Sequence, residues 1–199
     1  MKLSQASISD CWVTGVTGHR HLDEVDKSAL ELAVDECLAD IEATLPSKNH
    51  CLVSGLAAGA DQLVAWRALK RGWALKAVLA APLDTFALTM PFIDAHSLRN
   101  ELIPKCSEVT VVASSEQGET SGYIAVANSI LNAGSLIALW DGEPGRGAGG
   151  TADTVVRFLE ESDRHVYWVH TRRFGDTQSL NNPGWKKINM KNWRTKAIF

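Results

Sequence analysis

Three stretches of this sequence gather glycine, hydroxyl and charged residues at spacings that suit an anion. The first is Thr14-Gly15-Val16-Thr17-Gly18-His19-Arg20. Gly18 can take positive φ and bring backbone N–H groups close to a negative charge. Arg20 offers a forked guanidinium to a phosphate, and His19 a further donor. A tight turn with a solvated arginine fits the same residues. The second is Ser54-Gly55-Leu56-Ala57-Ala58-Gly59-Ala60-Asp61. Its small side chains admit a ligand close to the backbone, and a helix start just beyond favours negative charge. Ser54, Gly55, Gly59 and Asp61 are its candidate ligand residues, with Asp61 suited to a ribose hydroxyl or to capping the helix. The spacing is neither G-x-G-x-x-G nor a P-loop, because the Lys-Ser/Thr pair is missing.

The third stretch is Trp140-Asp141-Gly142-Glu143-Pro144-Gly145-Arg146-Gly147-Ala148-Gly149-Gly150-Thr151-Ala152-Asp153, with five glycines. Glycines at this density add nothing to a core and lose much entropy on ordering, so either a mobile surface loop or a backbone cradle explains them. Gly149, Gly150 and Thr151 stand at a helix start, where free N–H groups and a hydroxyl can converge on phosphate. Asp153 is a candidate acid or base, a ribose ligand or a dipole partner. Asp141 can order the loop or hold a hydroxyl, and Trp140 can stack on a base or simply end a buried strand.

All three stretches fall between an apolar run and a helical pattern. Residues 11–16, 51–53, 75–80, 108–113, 135–140 and 165–170 read as strands, the last being His165-Val166-Tyr167-Trp168-Val169-His170. Between the first two, Leu30, Ala33, Val34, Cys37, Leu38, Ile41 and Leu45 recur with helical spacing over residues 24–45, until Pro46. A helix over residues 61–71 ends at Gly72, one along Ile124, Ala127, Ile130 and Leu131 ends at Gly134, and one carries Val155, Phe158 and Leu159 inward. Residues 83–104 are irregular, with a helix near their end and a break at Pro91; Asp84, Asp94 and His96 there can approach a ligand if the segment covers the site. From about Thr171 the chain turns polar and irregular, with Asn181-Asn182-Pro183-Gly184 as a turn. Alternation of strand and helix predicts an α/β, Rossmann-like, doubly wound and mostly parallel sheet with helices on both faces. Residues 1–199 read as one domain, with a core at about 11–170 and an extension at 171–199.

Composition narrows the class. A formal net charge of −3 argues against a surface built for duplex DNA. Cys11, Cys37, Cys51 and Cys106 form no C-x-x-C pair and read as buried reduced thiols, and the six histidines show no metal spacing. No metal or cofactor is expected. Neither a signal peptide nor a bilayer-spanning run is visible, so the expectation is a cytoplasmic protein with no membrane partner. The tail Trp185-Lys186-Lys187 through Trp193-Arg194-Thr195-Lys196 alternates basic and aromatic residues, which suits single-stranded bases; packing of the tryptophans over a sheet edge or a partner subunit is the expected role instead, and nucleic acid is not the expected partner.

Together, Thr17-Gly18-His19-Arg20, Ser54-Gly55-Leu56-Ala57-Ala58-Gly59-Ala60-Asp61 and Gly149-Gly150-Thr151-Ala152-Asp153 resemble the SLOG superfamily, which groups the Lonely Guy phosphoribohydrolases with the bacterial DNA-processing (SMF) proteins and related nucleotide-ligand sensors. The resemblance implies a Rossmann-like fold, a pocket for nucleotide-derived ligands and self-association as a dimer. Some such proteins cleave the N-glycosidic bond of nucleotides; others sense nucleotide signals, including those of antiphage defence. Lonely Guy enzymes carry G-G-x-G-T-x-x-E, whereas alignment on Gly150-Thr151 puts Thr154 where their catalytic Glu stands. Two functions follow: a module that senses or sequesters a mononucleotide, cyclic nucleotide or ADP-ribose-like ligand, or a hydrolase of an N-glycosidic or phosphoester bond. The second needs a carboxylate near the reacting carbon, for which Asp61, Asp141 and Asp153 are the candidates.

Overall fold

A computed structural model describes residues 11–23, 26–45, 49–112, 119–145, 147–161, 164–172 and 184–195. Glu24, Pro46, Ala113, Arg146, Asn181, Asn182, Pro183 and Lys196, which fall within the stretches read above, lie outside them. In chain order the elements are β1 (Cys11–Gly18), α1 (Lys27–Thr44), β2 (Asn49–Ser54), α2 (Ala60–Lys70), β3 (Ala74–Leu79), α3 (Leu83–Ala87) and α4 (Phe92–Ser97). A π-turn (Leu98–Leu102) and a 3-10 turn (Ile103–Lys105) lead to β4 (Glu108–Val111), α5 (Glu119–Leu131), β5 (Ser135–Trp140), α6 (Thr151–Glu160), β6 (His165–His170), β7 (Trp185–Ile188) and α7 (Met190–Thr195).

The strands form one sheet in the order β4-β3-β2-β1-β5-β6-β7, parallel except for β7. Helices α1 and α2 pack together on one face and α5 with α6 on the other, as the doubly wound reading requires. Position in the sheet explains strand character. Central β5 (SLIALW) is buried at every residue, whereas edge strand β4 is exposed at every residue. The β1–β5 register is marked by two buried hydroxyls, Thr14 and Ser135, whose oxygens lie 2.9 Å apart, with Trp12 Nε1 donating to Ser135 Oγ at 3.1 Å. Helix α1 buries Leu30, Ala33, Val34, Cys37, Leu38 and Ile41, the stripe its spacing predicts.

Two expectations need correction. His165–His170 is not the last strand: β7 pairs antiparallel to β6 and covers its outer edge. Trp185 stacks on Tyr167 at 5.8 Å between ring centroids and donates from Nε1 to Glu36, while Lys187 pairs with Asp40. An edge strand whose partners sit on α1, far back in the chain, leaves no local periodicity to read. The thiols are free, but only Cys37 and Cys51 are buried; Cys11 and Cys106 are half-buried. Segment 83–105 is a run of short helical turns started by Pro82 and Pro91 and tied to α2, where Gln62 donates to the Asp94 carbonyl and Trp66 to Ser97 Oγ. Among the described residues no helix is long and apolar enough to cross a membrane.

Candidate functional site

The strand order reverses between β1 and β5, and there the turns after β1 and β5 open at the same sheet edge. They enclose a cleft of about 380 Å³. The end of β1 and its turn supply Thr17, Gly18, His19 and Arg20; the turn after β2 supplies Gly55 and Ala57, with Asp61 from the first turn of α2; the turn after β5 supplies Gly147, Ala148, Gly149 and Gly150, with Thr151 from α6. Phe86 closes one side, and Tyr123, Val126, Ala127 and Ile130 of α5 line the floor. The three stretches singled out by sequence therefore share one cleft.

The turn after β2 is a tightly tied joint. Gly59 sits at φ +77°, and a Cβ there would lie 2.5 Å from the Arg20 carbonyl oxygen. Gly18 likewise lies against α2, with the position of a Cβ only 2.4 Å from Ala60 Cβ. The Ala60 N–H donates to the His19 carbonyl at 3.0 Å, which joins the first two turns. Leu56 is held at φ +52°, unusual for a side-chain-bearing residue; Ser54 Oγ accepts its N–H at 3.0 Å and Gln62 Nε2 donates to its carbonyl at 3.3 Å. Ser54 is fully buried in that role and does not line the cleft, and Gly59 borders a neighbouring cavity rather than this one.

Asp61 does face the cleft. It is only 8% exposed, and its Oδ2 accepts the Ala57 N–H at 3.2 Å in place of a conventional helix cap. Burial pushes its carboxyl up to about 7, partly opposed by that N–H and by the Arg20 charge. Arg20 spans the rim: Nη2 donates to Thr89 O at 3.0 Å and to Thr89 Oγ1 at 2.9 Å, while Nη1 reaches Tyr123 Oη at 3.5 Å.

The third turn is held at its ends. Asp141 Oδ1 accepts the Glu143 N–H at 3.0 Å and lies 3.3 Å from His19 Nε2, which also accepts the Asp141 N–H at 3.2 Å. One ring nitrogen cannot accept and donate at once, so neutral His19 carries its proton on Nδ1, and a charged ring would turn Nε2–H to the Asp141 carboxylate. Trp140 is 1% exposed and donates from Nε1 to Glu143 O, with its ring against Trp168 and Trp193; a buried strand-end aromatic is its role. Asp153 turns away from the cleft, accepting the Gly149 N–H at 2.9 Å and facing Arg157 at 3.7 Å. Thr154 Oγ1 donates to the Gly150 carbonyl at 3.0 Å. Gly150 caps α6 without any side-chain hydrogen bond, so no side-chain cap takes up the N–H groups of its first turn.

Of the three candidate acids, Asp61 alone lines this cleft. Asp84 pairs with Arg99 and His96 contacts Asn100, both outside it, while Asp94 borders the neighbouring cavity. Phe86, Thr89 and Tyr123 have no counterpart among the sequence candidates. Tyr123 lay within reach of the pattern, four residues before Ala127 on the same helix face; Phe86 and Thr89 sit in the irregular segment and gave no signal. Among the described residues, no group of acidic, histidine or cysteine side chains is arranged to hold a metal ion.

No protein-family description matches the chain, and no curated protein matches it either. Solved structures do. DNA processing protein A from Streptococcus pneumoniae superposes with a TM-score of 0.55 at 20% identity, over 86% of this chain and 53% of that one. DNA processing protein A from Helicobacter pylori, a protein with a single-stranded DNA binding mode, superposes with a TM-score of 0.53 at 13% identity, over 92% of this chain and 71% of that one. The chain thus spans about half the length of the first of these proteins. With this strand order and these similar structures, the chain has the Rossmann-like α/β fold that the two DNA processing proteins also contain.

Proposed function

We propose that the chain binds a nucleotide or a related phosphorylated metabolite in the cleft between β1 and β5, as a sensor or sequestering module. The observation that carries this reading is the convergence of the three turns on one cleft beside an α6 N-terminus without a side-chain cap. The phosphate would lie against Thr151, the Gly147-to-Gly150 backbone and Arg20, where oriented N–H groups and a guanidinium meet a negative charge. The base would lie on the apolar floor of Tyr123, Val126 and Ala127, facing Phe86. Hydrolysis is less well supported. Thr154 stands where a Lonely Guy enzyme has Glu, and Asp61 is the single cleft carboxyl among the described residues. Calorimetry with AMP, GMP, CMP, UMP and their diphosphates tests the reading. Binding that Arg20→Ala weakens tenfold or more is expected, and absence of binding by every nucleotide would overturn it.

Single-stranded DNA is a second reading, favoured by the Helicobacter pylori protein of the same fold and at odds with the sequence-based expectation against nucleic acid. The tail route to it is weak, because Trp185 and Trp193 pack on Tyr167 and Trp140. A strand would instead cross the cleft with its phosphates on Arg20. Fluorescence anisotropy with an oligothymidylate at two salt concentrations separates the readings: a steep fall in affinity with salt belongs to the strand.

A further inference from the structure

One carboxyl in the cleft has an oxygen to spare. Asp141 and Asp153 spend theirs on backbone N–H groups of the third turn and on His19 or Arg157. Asp61 is different. Among the described residues its side chain takes one hydrogen bond, from the Ala57 N–H to Oδ2, although it is only 8% exposed. The Arg20 guanidinium, whose charge reaches it, is itself turned to Thr89 and Tyr123. A carboxyl so deeply buried, open to a cleft and short of donors, must draw them from whatever enters.

Its place in the cleft decides which part of a ligand meets it. A Cβ on Gly55 would lie 3.1 Å from Asp61 Oδ2 and 3.1 Å from Val126 Cγ1, so the carboxyl stands beside the α5 floor. The groups suited to phosphate, Thr151 and the Gly147-to-Gly150 backbone, come instead from α6 and the turn after β5. A planar group lying on Val126 and Ala127 would therefore present its edge to Asp61.

We infer that Asp61 selects the base of the ligand, and that the base is guanine. This rests on the nucleotide reading proposed above. An ionised carboxylate only accepts hydrogen bonds. The pairing edge of guanine carries two adjacent donors, N1–H and the N2 amino group, which match two carboxylate oxygens. Adenine and cytosine set a ring-nitrogen acceptor beside their amino donor, and uracil flanks its N–H with two carbonyls. Each of these would turn an acceptor toward the carboxylate. With guanine, Oδ1 takes one donor and Oδ2 takes the other while keeping the Ala57 N–H. Two such donors also stabilise the buried charge.

The test is calorimetry on the whole chain at pH 8, above the value of about 7 to which burial lifts the carboxyl. GMP is expected to bind about tenfold or more tighter than AMP and than IMP, which lacks the N2 amino group. Asp61→Asn keeps an oxygen for the Ala57 N–H and offers the base one donor beside one acceptor. That pattern fits xanthine, whose C2 carbonyl replaces the amino group of guanine, so the variant should prefer XMP to GMP. A merely structural Asp61 would weaken GMP, IMP and XMP alike in the variant, and that result would refute the inference. So would equal wild-type affinities for GMP, IMP and AMP, a comparison that needs no variant and leaves the nucleotide reading intact. A loss confined to 2′-deoxy-GMP against GMP, with no base preference, would give Asp61 to the ribose and also refute it. No binding by any nucleotide would remove both readings.

Discussion

The turn after β2 and the turn after β5 are both rich in glycine and alanine, yet they are built for different purposes. In the first, Ser54, Leu56, Ala57, Asp61 and Gln62 hydrogen-bond one another, and Gly59 touches the backbone of the turn after β1. In the second, Gly149 is pressed against α5, where a Cβ would lie 2.9 Å from Ile124 N, but Gly147 has open space around its Cα. One turn is a rigid joint that fixes where α2 and β1 meet; the other is anchored at its ends and open along its middle. Glycine content alone does not distinguish them. Contact with neighbouring backbone does.

Substitutions test that contrast directly. The largest effect is expected at Gly59. Gly59→Ala combines a positive φ with a backbone clash at 2.5 Å, so a loss of roughly 3–5 kcal/mol in denaturant unfolding is expected. A near-neutral result would mean the joint is not rigid. Gly149→Ala should cost roughly 2–3 kcal/mol by the same mechanism, and the loss should appear in unfolding of α5 contacts by hydrogen exchange.

Asp61 provides a pH test of the joint. Its carboxyl is raised to about 7 in the fold, above its ordinary value of 3.8, so the folded state holds a proton that the unfolded chain releases between those values. Its contribution is present in full below about 3.8 and is lost as pH rises through about 7. Urea unfolding of wild type and Asp61→Asn at pH 5 and pH 8 should therefore show wild type losing ground on the variant by on the order of 2 kcal/mol at the higher pH. A difference independent of pH would mean that Asp61 is not buried in this way. Smaller again is Arg20→Ala, whose tenfold loss of nucleotide affinity corresponds to about 1.4 kcal/mol. Gly147→Ala closes the series: with nothing near its Cα, a stability change within about 0.5 kcal/mol is expected. A larger loss would place Gly147 in the joint class.

Much of this architecture was legible beforehand. The helical stripe from Leu30 to Ile41 and the apolar run Ser135–Trp140 announced their elements, because burial on one face or on both leaves a period in the sequence. The positions of the three turns were legible for the same reason. What each polar residue does there was not. Asp61 and Asp153 each stand in the first turn of a helix, yet one faces the cleft and the other clasps Gly149. Trp140 ends its strand at the cleft edge but gives its N–H to Glu143, and Ser54 gives its acceptor to Leu56. Side-chain direction at such positions follows from loop geometry that no residue spacing records.

That strands alternate with helices and that glycine-rich turns follow three of those strands is written locally, since these are matters of period and backbone freedom. That β1 and β5, far apart in the chain, lie side by side and so gather the turns around one cleft emerges only when the whole chain packs. The same packing brings the tail to the sheet edge as β7. Strand pairing across such separations is set by how all the helices cover both faces at once, and that competition has no signature in any single segment.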